Sequence, residues 1–363
     1  MLKTVVVLVA ILFAEAVVAA EPRPEAATPP GRRLNDVASW GYQLQKVDPV
    51  EIAASPYDLV VIDYSRSGTD DKRFTPAEVK GMQVKPDGRR RIVLAYMSIG
   101  EAEDYRFYWS KNWVEAAPLR SAKDGAPPLP GTRPETVNIP RLIAPGWLGR
   151  ENEQWKGNYH VRFWYDGWQE LIMHYPDSYL SRIIEAGFDG VYLDRVDVYY
   201  AIEQDGVGAM HWMLNFVEEL AAIARKRKPG FFVLPQNAEE LLKEPRYLAA
   251  IDGVAKEDLL FGRNGEAAPN SEAQIGESAR KLAAAKAAGL PVFVVEYIDA
   301  PSAITATSAE LRARGMVPYF GPRRLDRVAL PLPDPTNAPA IPSSPAAPAA
   351  GAEADAPRVR PSE

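Results

Sequence analysis

The chain has 363 residues, of which 47% are hydrophobic and 10% aromatic, so it can bury one large core or two modest ones. Its net charge of −6 and the lack of a basic stripe argue against nucleic acid as the main partner. Cysteine is absent and the three histidines, His160, His174 and His211, lack metal-site spacing, so neither a disulfide, a metal nor another cofactor is expected.

The first twenty residues have the pattern of a secretory signal peptide. Lys3 gives a basic start, Val5–Phe13 an apolar run, and Val18–Ala20 a small-residue cleavage site. The run is short for a membrane span and Glu15 interrupts the segment, so we expect a secreted or periplasmic protein without stable membrane insertion. Residues 21–36 are expected to form a Pro/Ala-rich linker, and residues 329–363 a disordered Pro/Ala-rich tail.

Residues 37–328 contain eight apolar runs that alternate with helical patterns. Several runs are continuous and β-branched, which is typical of parallel strands covered on both faces. The predicted strands are Ser39–Gln45, Tyr57–Tyr64, Arg91–Gly100, Val191–Leu193 with Asp194 at its end, Phe231–Asn237, Ile251–Asp258, Pro291–Ile298 and Gly315–Gly321. This alternation predicts one α/β domain with the (β/α)₈ TIM-barrel fold.

Helix signals lie between these runs. Thr75 and Glu78 form a capping box, Pro176 should break the pattern Trp168–Ala186 in two, and Asn237 is placed to cap a helix that contains Glu240. The other predicted helices are Asp48–Ser55, Gly208–Lys228 and Ser271–Ala288.

The segment Ala102–Asn158 is long, rich in Trp, Pro and Gly, and has no sustained period. It predicts a large loop inserted after the third strand, of the kind that shapes a substrate cleft. Tyr159–Tyr165 is a candidate for a short extra strand at its exit.

Acidic and amide side chains stand at or just past the predicted strand ends, where barrel strands share a pocket. We predict substrate contacts, against the alternative of structural hydrogen bonds, for Asp63, Tyr96, Glu101, Asp197, Asn237, Glu296 and Tyr319. Aromatic faces beside carboxylates suit a carbohydrate. A pair of carboxylates without thiol or Ser-His machinery suits glycoside hydrolysis.

Four motifs in order resemble glycoside hydrolase family 114, which contains endo-α-1,4-polygalactosaminidases. They are Trp40-Gly41-Tyr42-Gln43-Leu44-Gln45, Val61-Ile62-Asp63-Tyr64, Leu94-Ala95-Tyr96-Met97-Ser98-Ile99-Gly100-Glu101-Ala102-Glu103 and Gly187-Phe188-Asp189-Gly190-Val191-Tyr192-Leu193-Asp194. The resemblance implies a TIM barrel, a partly deacetylated galactosaminogalactan-type polymer as substrate, and Asp194 and Glu257 as the catalytic pair. One departure is Arg195, where a small polar residue such as Asn is expected.

The acidic side chains at the strand ends would attract a cationic or amino-sugar polysaccharide. We expect the protein to be a monomer. Asp194 is assigned the ionised role of nucleophile or charge stabiliser, and Glu257 that of general acid/base. Asp258, which lies beside Glu257, and Glu296 are the next acids to consider. Two alternatives stay open: a hydrolase of another exported polysaccharide, and a carbohydrate-binding barrel without catalysis.

Overall fold

The computed structural model describes residues 33–111, 113–114, 142–203 and 208–329. The predicted signal peptide, nearly all of the predicted linker and tail, and residues 115–141 of the predicted insertion lie outside these ranges.

All eight predicted strands are present. In chain order, the described strands are β1 (Trp40–Gln43), β2 (Leu59–Ile62), β3 (Ile92–Ser98), β4 (Glu101–Glu103), β5 (Trp113–Val114), β6 (Leu142–Ile143), β7 (Leu148–Glu151), β8 (Asn158–Val161), β9 (Gly190–Asp194), β10 (Phe232–Pro235), β11 (Val254–Glu257), β12 (Phe261–Gly262), β13 (Gly265–Pro269), β14 (Val292–Glu296) and β15 (Val317–Phe320). The predicted strands correspond in order to β1, β2, β3, β9, β10, β11, β14 and β15.

These eight strands form two parallel sheets, ordered β1-β2-β3-β9-β10 and β11-β14-β15. A parallel bridge between Gln236 and Ala255 joins the end of β10 to β11. At the other edges, the indole nitrogen of Trp40 in β1 donates a hydrogen bond of 2.9 Å to the carbonyl of Val317 in β15. The described chain is therefore a mixed α/β structure built on parallel strands.

Helices lie between the strands, as the spacing predicts. The described α-helices are α1 (Pro49–Ala54), α2 (Pro76–Met82), α3 (Asp166–Gln169), α4 (Tyr179–Glu185), α5 (Tyr199–Glu203), α6 (Ala209–Arg227), α7 (Pro245–Ala250), α8 (Glu272–Ala287) and α9 (Pro301–Ala313). The Thr75 and Glu78 capping box of α2 is confirmed. The predicted break at Pro176 is also confirmed, since it lies between α4 and the π-helical Glu170–His174 that continues α3.

The predicted cap by Asn237 is wrong. The 3₁₀ helix Glu239–Lys243 begins after Ala238, and no side chain caps it. Asn237 and Ala238 both have positive φ, and the Asn237 side chain accepts hydrogen bonds from the backbone of Glu257 at 3.3 Å and from Nζ of Lys256 at 3.2 Å. Its amide therefore contacts the end of β11 instead of the helix.

The parallel strands are buried on both faces, which explains their continuous apolar sequences. Aromatic rings fill the space between them: the ring centroids of Tyr42 and Tyr192 are 5.0 Å apart, and those of Trp40 and Tyr319 are 5.5 Å apart. Trp40 is fully buried, as expected of a core residue.

The described part of the predicted inserted loop contains a small antiparallel sheet, ordered β4-β8-β7. The predicted extra strand Tyr159–Tyr165 is confirmed in part, as β8. Trp147 packs against Trp168 with their ring centroids 4.9 Å apart, and the Trp168 indole donates to the carbonyl of Ile99 at 2.8 Å. These contacts connect the segment to the end of β3. Of the helices that the structure describes, none combines the length and hydropathy needed to cross a bilayer.

Candidate active site

A cavity of about 640 Å³ lies at the carboxyl ends of the parallel strands, a volume within the range of small-molecule sites. Seven of the nine predicted site residues line it: Asp63, Tyr96, Glu101, Asp194, Asp197, Asn237 and Glu257. The structure therefore brings the predicted catalytic pair and most of the predicted substrate contacts together.

Asp194, at the end of β9, receives three hydrogen bonds. Its Oδ2 accepts from the Tyr96 hydroxyl at 2.7 Å, and its Oδ1 accepts from the backbone N–H of Arg195 at 2.8 Å and from the amide nitrogen of Gln236 at 3.0 Å. Asp194 is the acceptor in all three hydrogen bonds, so they favour its ionised carboxylate form.

Glu257, at the end of β11, accepts two hydrogen bonds. Its Oε1 accepts from the Tyr297 hydroxyl at 2.8 Å, and its Oε2 accepts from the same amide nitrogen of Gln236 at 3.0 Å. The Gln236 carbonyl oxygen accepts from the Tyr192 hydroxyl, which fixes the orientation of the amide. Because two bonds of 3.0 Å meet at one nitrogen, the bonded oxygens of Asp194 and Glu257 are no more than about 6 Å apart, and about 5 Å apart if the two N–H groups diverge at the usual trigonal angle.

Burial raises the pKa of both carboxyl groups. The negative charge of Glu257 raises the pKa of Asp194 further, to about 7, against the opposing effect of the Tyr96 hydrogen bond. The pKa of Glu257 is raised by burial and lowered in part by its hydrogen bond from Tyr297. Near neutral pH the pair therefore tends to hold one proton between two carboxyl groups, which is the protonation that acid and nucleophile chemistry requires.

The other carboxylates of the cavity are paired with arginines. Asp63 makes two contacts with the buried Arg106 guanidinium, at 3.0 and 2.8 Å, and Arg106 also contacts Glu103 at 2.6 Å. Arg195 lies 3.0 Å from the buried Glu101 and 3.9 Å from Asp197. Among the strand-end acids predicted to contact substrate, Asp63, Glu101 and Asp197 therefore face arginines of the chain.

Glu296 and Tyr319 are not among the side chains that line the cavity. Both carboxylate oxygens of Glu296 accept backbone N–H groups, from Leu260 at 2.7 Å and Phe261 at 3.2 Å. The Tyr319 hydroxyl donates to the Tyr42 carbonyl at 3.2 Å. These contacts are structural hydrogen bonds, which are the alternative to substrate binding for residues at strand ends.

Sequence reasoning missed Gln236 as a site residue and did not assign Tyr297, although both lie near the carboxyl end of a predicted strand and directly follow β10 and β14. That position was the available signal, but an amide beside two carboxyl groups becomes visible only once β9, β10 and β11 are adjacent. Trp155, 56% exposed and lining the cavity, was also missed within the aperiodic segment. Within the described ranges, no group of three or more His, Asp or Glu side chains is arranged to hold a metal ion.

Two relatives have similar sequences over most of the chain. An uncharacterized protein of Thermotoga maritima is 34% identical over 267 residues, 72% of this chain and 71% of the relative. An uncharacterized protein of Deinococcus radiodurans is 33% identical over 309 residues, 84% of this chain and 87% of the relative.

The glycoside hydrolase domain of PelA from Pseudomonas aeruginosa superposes with a TM-score of 0.55, covering 80% of this chain and 97% of that domain. At 18% sequence identity, this match shows a shared fold. The sequence profile of glycoside hydrolase family GH114 matches residues 132–332, which include β9, β11 and both predicted catalytic carboxyl groups. The chain belongs to glycoside hydrolase family GH114.

Proposed function

We propose that this protein is an endo-acting hydrolase of α-1,4-linked galactosamine-containing polysaccharide, with Asp194 and Glu257 as its catalytic pair. The observation that carries the proposal is the amide of Gln236, which holds the two half-buried carboxyl groups side by side in a cavity. Family membership supports glycoside hydrolysis, and the polygalactosaminidases of the family support this substrate class.

We infer further that the eight parallel strands close into a barrel. The bridge from Gln236 to Ala255 joins the two sheets at one side. The hydrogen bond from Trp40 to Val317 joins their other edges. Closure would direct all eight carboxyl ends toward the cavity, as in other parallel barrels.

The two oxygens bonded to Gln236 are no more than about 6 Å apart, which supports a retaining reaction, since retaining enzymes hold the carboxyl groups about 5 to 5.5 Å apart and inverting enzymes about 6.5 to 9.5 Å. Asp194, which accepts three hydrogen bonds, suits the nucleophile when the one proton that the pair shares lies on Glu257. Its oxygen would bond to the anomeric carbon while the glycosidic C–O bond breaks and Glu257 gives its proton to the leaving oxygen. Glu257 would then take a proton from water, whose oxygen displaces Asp194 from the anomeric carbon.

Hydrolysis of an external polymer fits the predicted export of the chain. The exposed faces of Trp155 and Tyr105 on the cavity lining suit stacking against sugar rings.

The proposal is tested by incubating the protein with purified galactosaminogalactan, chitosan and α-1,4-galactan, and measuring new reducing ends. We expect release from the first polymer, with mid-chain products and the α-anomer formed first in NMR spectra. If new reducing ends form only from another polymer, that polymer replaces galactosaminogalactan as the proposed substrate. If a polymer is bound but no new reducing ends form, the carbohydrate-binding alternative is favoured.

The two roles are separated by adding azide to Asp194→Ala and Glu257→Ala. A glycosyl azide of inverted configuration is expected from the first variant and one of retained configuration from the second, because azide replaces the nucleophile in one case and water in the other. The opposite pattern would exchange the roles.

A further inference from the structure

Arg195 places a cation beside the catalytic carboxyl group. It directly follows Asp194, has a left-handed backbone with φ of 60°, and lines the cavity with a side chain that is 34% exposed. Non-glycine residues adopt this conformation at a cost, which Asn tolerates better than Arg. The backbone thus holds a long cationic side chain where a small polar one would be less strained.

The guanidinium has donors to spare. It contacts Glu101 at 3.0 Å and reaches only 3.9 Å from Asp197. Within the part of the chain that the structure describes, its buried Nε–H has no hydrogen-bond partner. A group with five N–H donors and two carboxylate neighbours can donate a hydrogen bond to a further oxygen ligand at the cavity.

The same guanidinium lies against carboxylates that a sugar amine could otherwise bind. A free sugar amine is an ammonium ion near neutral pH, and it needs a carboxylate without a partner. Glu101 is held by Arg195 and by Asn152 at 2.8 Å, whereas Asp63 and Glu103 are held by Arg106. Asp197 also lines the cavity and lies 3.9 Å from the same Arg195 guanidinium, so an amine bound there would face that cation. An ammonium group placed beside Arg195 would meet a like charge in a partly desolvated site.

We propose that Arg195 determines specificity, and that the sugar it contacts beside Asp194 carries an N-acetyl group instead of a free amine. An acetamido group is neutral, and its carbonyl oxygen is an acceptor for the guanidinium. The inference rests on the proposed function and names the acetylation state of one bound sugar. The polymer would then be cut next to acetylated units, while deacetylated units lie elsewhere along the cavity.

The test compares Arg195→Asn, which suits the left-handed backbone, with Arg195→Lys, which keeps the charge but loses the planar donors. Arg66→Gln is the matched control, because Arg66 also lines the cavity but pairs with Glu78. Each variant is assayed for kcat/KM on galactosaminogalactan of high and low acetylation. Binding of α-1,4-linked oligomers of N-acetylgalactosamine, galactosamine and galacturonate is measured by calorimetry.

The wild type should prefer the highly acetylated polymer and the N-acetylgalactosamine oligomer. Arg195→Asn should reduce that preference about tenfold or more, Arg195→Lys should reduce it less, and Arg66→Gln should leave the ratio of the two substrates unchanged. Because loss of Arg195 leaves Glu101 buried without its cation, Glu101→Gln/Arg195→Asn is measured beside it as a charge-balanced variant that should show the same change.

A wild type that prefers the deacetylated substrates, or an unchanged ratio in Arg195→Asn and in the double variant, would overturn the inference and leave the proposed hydrolase intact. Tightest binding of the galacturonate oligomer would overturn the acetamido assignment. If no galactosamine polymer is cleaved and no oligomer is bound, the proposed function fails and the inference fails with it.

Discussion

Asp194 and Glu257, which lie on strands from the two different sheets, accept hydrogen bonds from one amide nitrogen, that of Gln236. One side chain therefore limits the distance between the two proposed catalytic carboxyl groups and favours the ionised form of each. The Tyr192 hydroxyl fixes the orientation of the Gln236 amide in turn, so the site geometry depends on a buried hydrogen bond.

Replacing Gln236 with Leu should lower kcat by roughly ten- to a hundredfold, because leaving buried partners unsatisfied costs about 1–3 kcal/mol. The loss of a donor to both carboxylates should also raise their pKa values and shift the acidic limb of the kcat/KM profile to higher pH. The control is Gln45→Leu, another glutamine of the cavity lining whose amide contacts the backbone of Arg324. Equal profiles for the two variants would contradict a role for the shared amide.

Asp194→Asn and Glu257→Gln should each lose on the order of a hundredfold or more in turnover while keeping the fold, the scale typical of a lost acid or base. Reducing-end assays measure the turnover, and circular dichroism measures whether the fold is kept. Asp299→Asn, which removes an exposed acid just after β14, is the matched control. Near-full activity in either catalytic variant would reject that residue and make Asp258 the next candidate.

Stability should depend on the protonation of Asp194. Its pKa is raised from 3.8 to about 7 in the folded state, so between these values the folded chain keeps a proton that the unfolded chain has lost. The free energy of unfolding should therefore fall as pH rises from about 4 to about 7, by at most about 1.4 kcal/mol per pH unit from this group, and be flat above that window.

Urea unfolding at several pH values measures this dependence. Asp194→Asn should make the slope less steep without removing it, because burial also raises the pKa of Glu296 to about 7. Glu257→Gln should end the contribution of Asp194 at a lower pH, because the negative charge that raises the pKa of Asp194 is gone. A slope unchanged in both variants would show that the pKa of Asp194 is not raised.

The strands were predictable because continuous apolar runs are a local signal, and Asp194 and Glu257 could be found at their ends. The partners of the site residues were not predictable. Arg106 lies in a segment without periodicity, yet its guanidinium holds Asp63 at the end of β2. The sequence indicated which acids stand at strand ends, but which of them remain unpaired depends on contacts between distant segments.

Glu296 illustrates the same limit and gives a further prediction. Its fully buried carboxylate accepts two backbone N–H groups from the loop after β11, so Glu296→Gln would place an amide donor against a backbone donor. We expect a loss of about 1–3 kcal/mol in unfolding free energy and an unchanged KM. A raised KM at unchanged stability would restore the predicted substrate contact.

The exposed indole of Trp155 should act as a platform for a sugar ring. It is 56% exposed at the cavity, and an apolar face in that position is stabilised when a sugar covers it. Trp155→Ala should raise KM for the polymer by roughly tenfold with little change in kcat, because the lost contact exists equally in the ground and transition states. Tyr175→Ala, which removes a similarly exposed aromatic ring outside the cavity lining, should leave KM unchanged. If both variants behave alike, or if Trp155→Ala lowers kcat instead, the ring does not bind the polymer as a platform.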